Sequence, residues 1–241
     1  MSNSEMENIL ELDKKGRPYG GVSPEARAAE RRDALIRAGT RIFGTAGFRK
    51  ATVRAICQEA KLNDRYFYAA FDSADELLRC TYQHHAEQLR ASVKQAIDAL
   101  DDAHDGLEAR IDAGLAAFFA FLRDTCAARV LLLEVMGVSA ETDATYQRNL
   151  LEFGKMIVSL VGPVSEDADE RADQRIIGLA LVGAMTNVGA AWLLTGYRDP
   201  EEKMVRNCRQ VLLGTLPFLA KRSNASRLSS RRRASAVAPG R

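Results

Sequence analysis

The run IIGLALVGAMTNVGAAWLLTGY, residues 176 to 197, carries no charged side chain. A helix that is apolar all round is either buried among other helices or crosses a bilayer. Thr186, Asn187 and four glycines dilute this run as a membrane span, and a single late span would strand an acidic body. The reading is therefore a helix packed on most of its sides. Gly178, Ala180, Gly183, Ala184, Gly189 and Ala190 permit close helix approach, and the following segment offers Met204, Val205, Val211, Leu212, Leu216 and Leu219 at helical spacing.

The rest of the chain after Leu78 has the same character. Breaking or capping stretches at DDAHDG, GVSAETD, GPVSEDAD and TGYRDPEE delimit helices expected at about 78–101, 105–123, 125–137, 142–161, 168–195 and 200–220. No alternating strand pattern interrupts them. With 241 residues, 46% of them hydrophobic, the chain can bury a substantial core. Cys57, Cys80, Cys126 and Cys208 are scattered without a CxxC pair, and the first residues are polar and acidic where a secretory leader needs an apolar run; both point to a reducing, cytoplasmic compartment.

Charge divides the molecule. The net charge of +2 conceals ten Lys/Arg against five Asp/Glu over residues 24–71, 13 against 20 over residues 81–220, and seven against none from Lys221 onward. A basic N-terminal unit and a basic tail flanking an acidic body is the distribution expected when one part of a protein meets a polyanion.

The basic unit opens with a start signal. Residues 1–22 read as a disordered arm; Ser23 then caps and Pro24 occupies the first helical position, with Ala34, Leu35, Ala38, Ile42 and Phe43 at spacings that bury one face. GTAGF ends this helix. Thr52 caps a short helix, VRAICQEA, whose Ile56 and Ala60 face inward, and KLN turns the chain at once into a third helix capped by Asn63. In DRYFYAAF, Phe67 and Phe71 lie one turn apart on the core face, leaving Asp64, Arg65, Tyr66 and Tyr68 for other faces. Two short helices joined by a tight turn form the helix-turn-helix unit that places its second helix in the DNA major groove.

The ordered series from Ala34 to Leu78, ALIRAGTRIFGTAGFRKATVRAICQEAKLNDRYFYAAFDSADELL, resembles the DNA-binding domain of the TetR family of transcriptional regulators. The resemblance covers about 45 residues and implies an all-α protein: an N-terminal three-helix helix-turn-helix DNA-binding domain plus a larger helical ligand-binding and dimerisation domain. On this chain it divides into the arm at 1–22, the reader at 23–72, the helical body at 73–220 and a disordered basic tail at 221–241. By position, Thr52 and Tyr68 look like phosphate contacts, Asn63 is the cap of the reading helix, and Arg54, Asp64, Arg65 and Tyr66 look like groove-facing readers, with arginine able to hold guanine bidentately. The chain departs from the family at Lys61, where a turn glycine is usual, at Arg65, where a small residue is common, and at Ala70 and Ala74, where phosphate contacts often stand.

The resemblance implies a homodimer held by the last two long helices; Gly183, Ala190, Met204, Val211 and Leu212 are the residues assigned to that contact. Phe118, Phe121, Leu122, Met136, Phe153, Met156 and Trp192 combine rings and thioethers suited to an adaptable apolar pocket for a small-molecule effector. The implied partners are a palindromic double-stranded DNA operator and this effector, and the implied action is repression relieved by ligand, with activation as the alternative and a helical enzyme or a structural dimer as the remaining readings. Nothing points to an enzyme, a cofactor or a metal: His84 and His85 diverge by about 100° on a helix, His104 stands alone, and no GxSxG, Walker loop or Cys/His cluster occurs. The flexible basic tail either adds salt-sensitive phosphate contacts or is a solvated end with no role.

Overall fold

The computed structural model describes residues 23–101 and 106–236. The arm expected at 1–22, His104 and residues 237–241 lie outside the described residues. Nine α-helices follow one another: α1 Pro24–Ala46, α2 Val53–Ala60, α3 Asp64–Tyr68, α4 Ala74–Asp98, α5 Leu107–Phe121, α6 Thr125–Arg129, α7 Ala140–Ser159, α8 Ala168–Leu194 and α9 Glu201–Ala236 among the described residues. A 3-10 turn, Phe48–Lys50, precedes α2, and a π-helical segment, Val130–Glu134, continues α6.

The starts are set by side chains that satisfy the orphan amides of a first turn. Ser23 Oγ accepts from the Ala26 amide at 3.1 Å, Thr52 Oγ1 from Ala55 at 3.1 Å and Asn63 Oδ1 from Tyr66 at 3.3 Å. At α4 the cap is reciprocal: Ser73 Oγ accepts from the Glu76 amide while Glu76 accepts from the Asp72 amide at 2.7 Å. Lys61 ends α2 at φ 56, in the left-handed region where glycine is the unstrained choice.

One core runs through the N-terminal helices and into the body. Leu35, Ala38, Phe43, Ile56, Phe67, Phe71, Leu77 and Leu78 are buried together with Val130, Leu131 and Val135 of the π-helical region. Helix α1 lies directly on α6: a Cβ on Gly44 would sit 2.5 Å from Cys126 Cα, so only glycine permits this approach. A second core joins α5, α8 and α9 through Ile111, Leu115, Phe119, Leu181, Met185 and Leu216.

The uncharged segment is α8, the one helix among the described residues long and apolar enough to cross a membrane. It is packed against α7, where the backbones of Gly178 and Gly154 meet: a Cβ on Gly178 would lie 2.9 Å from the Gly154 carbonyl oxygen. Its outward positions Ile176, Ala180, Gly183, Asn187, Ala191 and Leu194 recur at three and four residues and form an exposed stripe. Asn207, Val211, Gly214 and Phe218 make a second stripe on α9.

The helix α9 continues through Ala236, sixteen residues into the segment expected to be disordered. Between Phe218 and Ala236 the chain has no glycine or proline and is rich in Ala and Arg, both good helix formers, beside five serines. Charge and the lack of large apolar groups argue for disorder; backbone propensity runs the other way.

Candidate functional site

Around the two short helices, every residue proposed to meet DNA lies on the open side. Thr52, Arg54, Asn63, Asp64, Arg65, Tyr66 and Tyr68 are all exposed, whereas Ile56, Cys57 and Phe67 are buried beneath them. Neither Arg54 nor Arg65 has an ion pair among the described residues, so both guanidinium groups are available to an outside anion; Arg41 instead pairs with Glu59. The Tyr68 ring is 61% exposed and leans edge-on against Phe67 at 5.3 Å. Tyr66 is held differently, with Arg31 of α1 stacked over its ring at 4.7 Å. Beside them, burial and the Asp64 carboxylate push the Cys57 thiol up to about 11, which keeps it protonated at neutral pH.

Two side chains that the sequence reading missed tie this unit to the body. Arg32 lies over the Phe71 ring at 4.3 Å and donates to the Ala70 carbonyl at 2.8 Å, fixing the end of α3 against α1. Glu134, its side chain 11% exposed, accepts from the Phe48 amide at 2.8 Å and from Arg129 Nε at 2.8 Å. That carboxylate spans 86 positions of sequence, a separation no local pattern could reveal. Gly47, at φ 84, passes beside it.

Inside the body is a cavity of about 100 Å³, room for roughly seven water-sized groups. It lies between α4, α5, α7, α8, α9 and the π-helical segment, with almost wholly apolar walls that include Leu89, Val93, Leu115 and Ile157. Phe118, Phe153 and Met156 line it. The other four candidates do not. Leu122 and Trp192 are core: Leu122 packs under Gly189, and Trp192 stacks edge-on with Phe119 at 5.5 Å and Tyr197 at 4.8 Å while its indole donates to the Asp199 carbonyl. Phe121 faces His85 at 6.4 Å, and Met136 is 65% exposed in a turn. These residues share composition with a pocket wall but not direction.

The cavity has polar points that composition did not disclose. Arg110, in the first turn of α5, is its one charged lining residue among the described residues; Tyr82 and Tyr146 come from α4 and α7. A Thr142–Asp75 hydrogen bond of 2.7 Å and an Asn149–Gln83 bond of 2.8 Å zip α7 to α4 along the same wall. Leu131 and Leu132 bring the π-helical segment, at whose end Glu134 binds Phe48 and Arg129, to the cavity edge.

Of the residues assigned to a dimer contact, Gly183 and Val211 lie on the exposed stripes. Ala190 and Met204 are half-buried, and Leu212 points inward, where it lines the cavity. No group of three His, Cys, Asp or Glu side chains able to hold a metal occurs among the described residues.

Residues 35–80 match the model of a family described as bacterial regulatory proteins, tetR family. Over 216 residues the chain is 26% identical to the HTH-type transcriptional activator FasR of Mycolicibacterium smegmatis, covering 88% of this chain and 96% of that protein. In fold it is similar to the fatty acid degradation regulator FadR from Bacillus halodurans, with a TM-score of 0.64 at 19% identity over 77% of this chain and 96% of the other. It is also similar to FadR from Bacillus subtilis, solved in complex with stearoyl-CoA, with a TM-score of 0.61 at 14% identity over 75% and 96% of the two chains. Residues 35–80 thus form a DNA-binding unit of the tetR family kind, carried on an all-helical body similar in fold to these regulators.

Proposed function

We propose that this protein is a homodimeric, ligand-responsive regulator that holds a palindromic DNA operator and changes its grip when an effector enters the cavity. The observation that carries the reading is the continuity between the two sites. Leu131 and Leu132 face the cavity, and the same π-helical segment ends in Glu134, bonded to the amide of Phe48 just before the reading helices. Single-turn π segments interrupt helices most often where function requires an adjustable register. A group that fills the cavity and displaces this segment bears on α1 and the 3-10 turn without touching DNA.

Apolar walls with Arg110 at one end suit a medium-length chain with an anionic head. The stearoyl-CoA in the related Bacillus subtilis regulator is a molecule of that kind. Thr52 and Tyr68 would contact phosphates, Arg54, Asp64, Arg65 and Tyr66 would face the groove, and the stripes on α8 and α9 would pair with their copies to hold two readers at half-site spacing. The site of action is the cytoplasm.

The sign of control has two readings. Repression follows from the behaviour that the family resemblance implies, and activation is favoured by the kinship with FasR.

The test is selection of bound sequences from random duplex DNA, followed by titration of dodecanoyl-CoA into the complex. A palindrome whose affinity changes at least tenfold supports the reading. A preferred sequence insensitive to both dodecanoyl-CoA and stearoyl-CoA removes the effector from it. Placing the palindrome upstream of or across a reporter promoter then separates activation from repression.

A further inference from the structure

Tyr82 is 3% exposed and lines the cavity, yet its hydroxyl has no hydrogen-bond partner among the described residues. Tyr146 lines the same space from α7, its ring centroid 5.9 Å from that of Tyr82, and its hydroxyl is likewise without a partner among the described residues. A hydroxyl on an apolar cavity wall ordinarily has a partner; neither of these oxygens is among the fully buried unpaired atoms, and Tyr146 is half-buried, so both open on the cavity or on solvent, where a phenylalanine would line an apolar wall equally well. Elsewhere in this fold that rule holds: Tyr197 donates its hydroxyl to the Leu122 carbonyl at 2.7 Å, and Thr186, also on the cavity wall, donates to the Val182 carbonyl at 3.0 Å.

The two phenols stand at the end of the cavity nearer the DNA-reading unit. Tyr82 is in the early part of α4, and Tyr146 in the early part of α7, whose Thr142 is bonded to Asp75. Ile97 and Arg110 mark the other end, about 22 Å further along α4 at 1.5 Å per residue. Arg90, held by Asn149 and lying over the Phe153 ring at 5.6 Å, brings positive charge to the tyrosine end. Burial keeps the Tyr82 phenol protonated, so it can donate.

We propose that this inner end is an oxygen-binding subsite, in which the Tyr82 and Tyr146 hydroxyls hold a carbonyl or hydroxyl oxygen carried by the effector at the end remote from Arg110. The inference rests on the cavity being the effector site and narrows the effector to an apolar acid that is oxygenated at its far end. A plain saturated chain would leave both phenols facing methylene groups, which gives no return for their burial.

The experiment compares dodecanoate with ω-hydroxydodecanoate by calorimetry on the full-length protein, the Tyr82→Phe variant and the Tyr82→Phe/Tyr146→Phe double variant. The wild type should bind the hydroxy acid roughly fivefold to tenfold more tightly, the return from one or two hydrogen bonds made in a dry site. The phenylalanine variants should lose this preference by weakening only the hydroxy acid, with dodecanoate unchanged and the ligand-free Tm unchanged or raised. Equal binding of the two acids by the wild type, or a preference that survives in the double variant, overturns the subsite and leaves the effector reading standing. A lowered Tm for ligand-free Tyr82→Phe also overturns it, because the hydroxyl would then be employed in the fold. Failure of both acids to bind overturns the subsite, and a lack of response to dodecanoyl-CoA and stearoyl-CoA overturns the effector reading as well.

Discussion

Arg65 and Tyr68 stand on the same five-residue helix and should fail in different ways. Arg65→Ala removes a side chain suited to bidentate recognition of guanine, so specific binding should weaken by about 1 to 3 kcal/mol and selectivity should relax at one base pair per half-site. Tyr68→Phe removes a hydroxyl placed for phosphate and should weaken selected and random duplexes alike. Competition binding on both duplexes checks the pair; equal losses for Arg65→Ala would remove it from the readers. His85 offers a prediction of another kind. It sits between α1 and α4, hydrogen-bonded to Thr40 at 2.8 Å and Gln88 at 3.2 Å, and burial, followed by the neighbouring His84, holds its pKa below the ordinary value. The unfolded chain therefore takes up a proton near pH 6.5 that the folded one refuses, so stability should fall as pH drops from there toward the folded pKa. Tm measured from pH 7.5 to 5.5 should decline less for His85→Gln, which can keep both hydrogen bonds, than for the wild type; parallel curves would mean that another group sets the slope.

At the scale of elements, the glycines of α8 separate packing within the subunit from packing outside it. Gly178 has no room for a side chain against Gly154, so Gly178→Leu should overpack the α7–α8 contact and lower stability by about 1 to 3 kcal/mol or more. A Cβ on Gly183 would meet nothing within 4 Å, and this residue faces outward. Gly183→Leu should therefore fold normally yet sediment as monomer and lose operator binding, since two half-sites must be held together. An unchanged dimer would take α8 out of the association surface. The contrast also shows what sequence can and cannot convey. Helix positions were legible because Ser23, Thr52 and Asn63 cap where they should and breakers mark the ends, and Phe67 and Phe71 fall on the buried face that their spacing predicts. Which of two small residues meets another helix depends on the rotation of α8 about its axis, and an all-apolar segment carries no polar stripe to set that rotation. The cavity suffered likewise. Phe118 and Trp192 look alike as candidates, but only how α5 and α8 are rotated against their neighbours decides which ring faces the space.

At the scale of the molecule, the course of α9 revises the role of the basic tail. The helix begins beside the turn where Tyr197 reaches Leu122, at the end of α5 next to α6 and α1. By Arg209 it has reached Glu108 and Asp112, both at 2.9 Å, in the first turns of α5. It thus runs away from the reading helices, and the stretch from Leu212 to Ala236 leads about 36 Å further in that direction at 1.5 Å per residue. Truncation after Ala220 should accordingly leave the preferred sequence, and the slope of log affinity against log salt, as they are in the whole chain. A flattened slope on the same duplex would return the tail to the DNA. The bond between Glu134 and the Phe48 amide has a consequence for inheritance. One partner is a side chain and the other a peptide group that every residue except proline supplies, so mutation can reach this link almost entirely from one side. Lineages carrying this regulator could exchange Phe48 for any residue that still packs on Phe43 and keep the bond, whereas drift at position 134 would alter how an occupied cavity is felt at the DNA while leaving the reading residues as they were. New thresholds of response would then arise in descendants that still recognise the ancestral operator.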